Sequence, residues 1–185
     1  MRILIVSIDH FVQTAKNGDD SAALAARKNK LESLLKQEIA ARNIQFIAEE
    51  ASSEHRTIAQ ELASAGNPKI SRKNIDMTKE ERKQAKIYDA LNNRPIYVEK
   101  RGNELVEIEV RIPEDDIREE FFVAETIRCA GEAESIMILC GDMHVDAVKE
   151  KLERYGHRVE KDESLITDKR WVSSEDAGRK SVCPH

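Results

Sequence analysis

Two histidines and two glutamates stand at or shortly after the ends of apolar runs of the sequence: His10, Glu49, Glu50 and His144. Two imidazoles with a carboxylate suit a divalent metal such as zinc or manganese, for which the expected ligands are His10, Glu50 and His144. Without a metal, the same groups make a general acid/base pair, in which a carboxylate fixes the tautomer of a histidine that activates water. Both alternatives stay open, since no GxSxG, P-loop or GxGxxG motif indicates another chemistry.

The position of these residues relative to the predicted strands favours a shared site. The carboxyl ends of parallel strands meet at one edge of a sheet, where ligands bind. Asp9 and Asp142 follow strand ends in the same way, and either cap the next helix or support the histidines. Asp76 is a turn residue or a further site residue, and Gln13 is a candidate substrate contact.

Two segments have the form of a GxxH motif. Cys140-Gly141-Asp142-Met143-His144 contains it in full, and Ser7-Ile8-Asp9-His10 has serine in place of the glycine. With the pair Glu49-Glu50 between them, this order resembles the erythromycin esterase/ChaN/TraB superfamily, which includes the Tiki proteases. We expect Gly141 to permit a tight turn from strand to helix.

The resemblance covers about residues 2–160 and implies a site as well as a fold. It implies a hydrolase in which the cluster of His10, Glu49 or Glu50, and His144 activates water. Arg118 looks like the arginine found before the last motif in TraB-type sequences, where it would hold a substrate carboxylate or a developing oxyanion. Some members resemble metal-dependent peptidases, others metal-free esterases, and one branch binds haem, so the likeness does not fix one reaction.

The elements that must position this site alternate along the chain. Short apolar runs predict strands buried on both faces of a sheet, at 2–8, 44–48 and 135–140, with weaker strands at 69–75 and 157–160. Apolar spacing and helix-start residues predict helices over 22–42, 53–66, 78–91, 114–130 and 142–155. We therefore predict a three-layer α/β fold with a small, mainly parallel sheet and helices on both faces.

One segment has a different pattern. Over about residues 95–112, apolar and charged residues alternate around the turn Arg101-Gly102-Asn103, which predicts an inserted β-hairpin with one solvated face. We expect residues 1–166 to form a single α/β domain and residues 167–185 to form a polar, irregular C-terminal tail.

Composition excludes several classes of function. The net charge is −5, aromatic residues make up 4%, and no basic block carries interleaved aromatics, so nucleic acid is not an expected partner. No apolar run approaches the roughly 20 residues that span a bilayer, so we expect no membrane segment. Three scattered cysteines without a CxxC pair, and no secretory signal pattern, predict a cytoplasmic protein.

We interpret the chain as a hydrolase, esterase- or peptidase-like, acting on a small-molecule or peptide substrate. The alternative is a non-catalytic ligand-binding or regulatory protein that uses the same cleft. A third interpretation is an interaction module, in which the hairpin edge at 104–112 pairs with a partner strand or with a second copy in a homodimer. An enzyme should have a water-accessible cleft with perturbed histidine and carboxylate pKa values.

Overall fold

The computed structural model describes residues 1–15, 20–51, 56–66, 70–165, 171–173 and 176. These residues form eight strands and seven helices, in the order β1 (Arg2–Ile8), α1 (His10–Gln13), α2 (Ala22–Arg42), β2 (Phe46–Glu49), α3 (Ile58–Ala65), β3 (Ser71–Asn74), α4 (Lys79–Gln84), α5 (Tyr88–Asn92), β4 (Ile96–Arg101), β5 (Glu104–Val110), α6 (Glu114–Ala130), β6 (Ser135–Gly141), α7 (Asp142–Arg154), β7 (Arg158–Asp162) and β8 (Trp171–Val172). None of the helices in this part of the chain combines the length and the apolar character needed to cross a membrane.

The central sheet has five parallel strands in the order β3-β2-β6-β1-β7. β6 lies between β1 and β2 and pairs in parallel with both, so the three apolar runs are neighbours, as expected. β3 and β7 form the two edges. The predicted α/β fold with a mainly parallel sheet is confirmed, and the carboxyl ends of β1, β2 and β6 share one edge.

Helices cover both faces of this sheet. Ile3 and Ile5 of β1 pack with side chains of α6 and α7, whereas Leu4 and Val6 pack with side chains of α2 and α3. Since successive side chains of a strand point to opposite faces, burial on both faces requires an uninterrupted apolar run. This requirement explains why the central strands could be predicted from the sequence.

Two helices differ from their predicted bounds. α3 begins at Ile58, after the cap residue Thr57, whose hydroxyl accepts from the Gln60 N–H at 3.1 Å; the predicted start at Ser53 lies outside the described residues. The predicted helix over 78–91 has its expected capping box, but it is divided into α4 and α5. Lys86 between them adopts a left-handed conformation with φ 60°, which breaks the helix and lets Ile87 enter the core.

The hairpin belongs to a second, three-stranded sheet in the order β4-β5-β8. Alternate residues Val106, Ile108 and Val110 are buried, which confirms the predicted pattern of one dry and one wet face. The polar composition of the C-terminal tail led us to expect an irregular segment, but its described part contains the short strand β8. Trp171–Val172 pairs in parallel with the end of β5, because that strand still offers backbone groups on its outer side.

Candidate functional site

Glu50 lies at the centre of the predicted cluster. Glu50 is only 2% exposed. Its Oε1 atom is 3.6 Å from Nε2 of His10 and 3.7 Å from Nε2 of His144. Its Oε2 atom accepts the backbone N–H of Gly141 at 2.8 Å. The structure therefore brings together three of the residues singled out in the sequence, from the ends of three neighbouring strands.

Glu49 is not part of this group. Glu49 is the last residue of β2, directly before Glu50. Since successive side chains of an extended segment point to opposite sides, the Glu49 side chain points away from the imidazoles. Its buried carboxylate accepts from Gln13 Nε2 at 2.7 Å, from the Thr57 hydroxyl at 2.8 Å and from Arg72 Nε at 2.7 Å. Glu49 thus holds the surrounding elements, whereas Glu50 faces the imidazoles.

Arg118 reaches the cluster from α6. Its Nε and Nη2 donate to the two Asp76 oxygens at 2.9 and 2.6 Å, and Nη2 also donates to Glu50 Oε1 at 2.6 Å. Its Nη1 lies 3.2 Å from Nε2 of His144. A guanidinium carries five N–H groups, so one N–H on Nη1 has no partner among the residues that the structure describes.

His144 is held at both ring nitrogens. Nδ1 lies 2.8 Å from Oε1 of the fully buried Glu119, and Nε2 faces the Arg118 guanidinium. A carboxylate only accepts and a guanidinium only donates, so the hydrogen bonds assign the proton to Nδ1 and a lone pair to Nε2. His144 is therefore arranged as a neutral acceptor that orients Arg118.

His10 is oriented by Gln13. The Gln13 amide nitrogen donates to the Glu49 carboxylate and to the Glu50 carbonyl, both at 2.7 Å, which turns its oxygen toward Nδ1 of His10 at 3.1 Å. Nδ1 must then carry a proton, and Nε2 is the nitrogen that faces Glu50. The His10 side chain is 53% exposed, and the residue borders both cavities described below.

The charges of the cluster shift the pKa values of its members. The Glu50 carboxylate raises the pKa of His10 above its ordinary value, and burial opposes this only in part. Burial raises the pKa of Glu50, but the Arg118 guanidinium, with the charge of a protonated His10 and the N–H of Gly141, outweighs it, so the pKa of Glu50 is well below its usual range. For Glu119, burial is likewise outweighed by hydrogen bonds from Arg111 and His144, which lower its pKa.

Gly141 is required for a different reason from the one expected. Its φ of −62° and ψ of 149° are extended values that any residue adopts, so the turn into α7 does not need glycine. A Cβ at this position would lie 3.1 Å from Nε2 of His10 and 3.6 Å from Oε2 of Glu50. The absent side chain is what lets the His10 imidazole approach β6 closely, whereas the distance to Glu50 would be an ordinary contact.

The cluster borders two cavities, of about 570 and 880 Å³, sizes typical of small-molecule sites. Four residues contribute to both walls: His10, Glu50, Arg82 and Arg118. Asp142 also borders the first cavity, where its carboxylate accepts the indole N–H of Trp171 at 2.7 Å. Asp9 is bound by Arg27 at 3.0 Å. Both aspartates therefore support the cavity wall.

Within the described ranges, no group of three or more His, Cys, Asp or Glu side chains has the geometry of a metal site. The Arg118 guanidinium lies between Glu50 Oε1 and His144 Nε2, at 2.6 and 3.2 Å, and already supplies a positive charge there. A metal bound by His10, Glu50 and His144 would require Arg118 to move. The zinc or manganese site stays a prediction.

Two residues of the site, Arg82 and Glu119, were not identified from the sequence. Asp76, for which the sequence left a turn role and a site role open, is the principal partner of Arg118. The sequence could have pointed to Glu119, because Glu119 and Phe122 have helical spacing and therefore share one face of α6, which is buried. No comparable pattern marked Arg82.

Comparisons of the chain with protein-family profiles, with curated proteins and with solved structures gave no match. The fold defines an α/β protein whose sheet edge carries a buried Glu50–Arg118–Asp76 ion-pair network flanked by two histidines. The likeness to the erythromycin esterase/ChaN/TraB superfamily rests on the two short motifs and stays a prediction.

Proposed function

We propose that the protein is a hydrolase in which His10 is the general base that activates water. One observation carries this proposal: Nε2 of the half-exposed His10 faces Glu50 Oε1 at 3.6 Å, while Gln13 holds the proton on Nδ1. A half-exposed imidazole with a fixed tautomer can take a proton from water at Nε2, and the carboxylate beside that nitrogen stabilises the imidazolium that forms.

In the proposed reaction, Nε2 of His10 takes a proton from water as the water oxygen attacks a substrate carbonyl carbon. Glu50 stabilises the imidazolium that forms, as its effect on the His10 pKa supports. The unpartnered Nη1–H of Arg118 donates to the oxyanion of the tetrahedral intermediate. The intermediate collapses with cleavage of the bond to the leaving group, which takes the proton from His10 and restores the neutral imidazole.

In this mechanism His144 does not exchange a proton with substrate. It accepts from Arg118 and donates to Glu119, and so it fixes the direction of the remaining Arg118 N–H. Asp76 has the same effect on the opposite edge of the guanidinium. These two residues are positioning residues, and their replacement should weaken rather than abolish turnover.

The test compares His10→Ala with His157→Ala on p-nitrophenyl esters and on a pool of fluorogenic peptides. His157 directly precedes β7, at the opposite edge of the parallel sheet from the cluster, so its variant controls for loss of an imidazole. We expect the wild type to hydrolyse one of the two panels, His10→Ala to lose about 10²–10⁴-fold in rate, and His157→Ala to match the wild type. Equal rates for the two variants would refute the role of His10.

The metal-dependent version of this hydrolase predicts a different result. Elemental analysis of the purified wild type would then show zinc or manganese in stoichiometric amount, and the double variant His10→Ala/His144→Ala would lose it while keeping a cooperative melting curve. If the wild type hydrolyses a substrate without bound metal, the metal-dependent version is excluded and the metal-free acid/base mechanism remains.

A second candidate function is non-catalytic ligand binding in the same cavity. The observation that favours it is the pairing of Arg118 with Glu50 and Asp76, since these two carboxylates offset its positive charge and weaken its attraction for a developing oxyanion. Under this alternative, the wild type would hydrolyse neither panel but would bind a small molecule, and His10→Ala would lower its affinity.

A further inference from the structure

Arg82 is a second arginine of the site with most of its donors unused. It projects from α4, and its Nη2 donates to Asp76 Oδ2 at 2.6 Å. No other hydrogen bond of its side chain is found to any described residue. Its Nε atom is buried and has no hydrogen-bond partner, although the side chain as a whole is 25% exposed.

A buried donor without a partner is destabilising. Such donors are rare in folded proteins, and a bound water, ion or ligand that accepts from them is one explanation. Nη1 of Arg82, at the end of the guanidinium, has two N–H groups without a partner among the described residues, and these can donate charge-assisted hydrogen bonds to an oxygen of a carboxylate or phosphate.

The place of Arg82 in the fold supports a ligand contact. Arg82 and Arg118 border both cavities and share one carboxylate, since each donates to Oδ2 of Asp76 at 2.6 Å. In the free protein the open Nη1–H of Arg118 is a further donor for an anion; in the proposed reaction it is the donor to the tetrahedral intermediate, which leaves an anionic group of the substrate to Arg82. Glu50 and Asp76 balance the two guanidinium charges.

We propose that Arg82, together with Arg118, binds an oxyanion of the ligand, a carboxylate or a phosphate, in the wall that the two cavities share. As a statement about the substrate, this inference rests on the proposed hydrolase, whose substrate would then carry an anionic group near the scissile bond. As a statement about binding, it depends only on the two arginines and the open donors between the cavities.

The test is isothermal titration calorimetry at low ionic strength, with inorganic phosphate and with acetate as separate probes. The variants are Arg82→Gln, Arg82→Lys and the control Arg128→Gln, which removes an exposed arginine paired only with Glu125 on α6. We expect the wild type to bind at least one probe, with affinity lowered at least about tenfold in Arg82→Gln, partly restored in Arg82→Lys, and unchanged in Arg128→Gln.

The probe that binds identifies the chemistry: phosphate alone indicates a phosphorylated ligand, and acetate alone indicates a carboxylate. If the wild type binds neither probe, or if folded Arg82→Gln binds as tightly as the wild type, the inference is wrong. His10→Ala separates it from the proposed function. Retained anion binding in a variant that lacks turnover supports both proposals, whereas anion binding by a wild type without hydrolytic activity supports only this one.

Discussion

Glu119 and His144 form a buried pair in which Oε1 and Nδ1 lie 2.8 Å apart, and this pair connects the small sheet to the candidate site. On its other side, Glu119 accepts from Nη1 and Nη2 of Arg111, which follows β5 directly. A continuous set of hydrogen bonds therefore runs from Arg111 through Glu119, His144 and Arg118 to Glu50. The orientation of the guanidinium depends on a residue outside the central sheet.

Replacement of Glu119 should destabilise the whole domain. Glu119→Gln leaves Arg111 without a full counter-charge and gives His144 a neutral partner, and breaking a buried pair of this kind costs about 3–5 kcal/mol. Chemical denaturation measures the loss. Glu125→Gln on the same helix removes a surface pair with Arg128 and should change stability by less than about 1 kcal/mol; equal effects would contradict the importance of the buried pair.

The two histidines His10 and His157 should titrate on opposite sides of the ordinary histidine pKa of about 6.5. Glu50 raises the pKa of His10, whereas burial lowers the pKa of His157. A titration followed by the imidazole proton resonances in NMR measures both in one sample. In Glu50→Gln the pKa of His10 should fall, because the carboxylate that stabilises the imidazolium is gone, and His157 should not change. A reversed order in the wild type would contradict the geometry of the site.

Gly141→Ala should displace His10 without unfolding the protein. The new methyl group would lie 3.1 Å from Nε2 of His10, and the half-exposed ring can swing toward solvent. We expect the pKa of His10 to return toward its ordinary value, since the ring moves away from Glu50, with stability changed by less than about 1 kcal/mol. The same NMR titration and a denaturation curve measure both effects; an unchanged His10 pKa would show that the ring stays in place.

The stability contributed by Glu50 should depend on pH with a definite sign. Its folded-state pKa is lowered, so its contribution is fully present above the ordinary glutamate pKa of about 4.3 and is lost as pH falls further. Glu50→Gln should therefore be less stable than the wild type at pH 7, and the difference should shrink in acid. Denaturation at pH 7 and at about pH 3.5 tests this, and a constant difference would exclude an ionised Glu50 as the stabilising form.

The inner face of the hairpin should contribute to folding. Ile108 is fully buried, whereas Ile96 on the paired strand is 55% exposed. Ile108→Ala should cost about 2–5 kcal/mol through the lost contacts and the cavity that remains, and Ile96→Ala should cost much less. Thermal or chemical denaturation of the two variants distinguishes a packed hairpin from a loose insertion, for which both substitutions would be mild.

The sheet could be predicted from the sequence because β1, β2 and β6 are buried on both faces and leave continuous apolar runs. The choice between Glu49 and Glu50 could not, because it depends on the side to which each of two consecutive residues points, and a shift of one residue reverses it. The GxxH motif identified Gly141 correctly as special but for the wrong reason, since the conflict is with the side chain of His10, 131 positions away in the chain.

The role of Arg82 could not be predicted for a related reason. Arg82 lies on α4, a short helix of charged and polar residues, none of them buried, so its sequence is that of an ordinary solvated helix. Asp76 was a candidate, but its partners could not be predicted. Only the fold shows that Arg82 and Arg118 both donate to its carboxylate.

Trp171 is the single tryptophan of the chain, and its indole N–H donates to Asp142 at the wall of the 570 Å³ cavity. Light absorbed at the red edge of protein absorption therefore excites one residue, and that residue borders the candidate site. Its emission should respond to a compound that enters the cavity, because the polarity around the indole changes. The protein thus carries its own fluorescent reporter, and ligand screening needs neither a label nor a substitution.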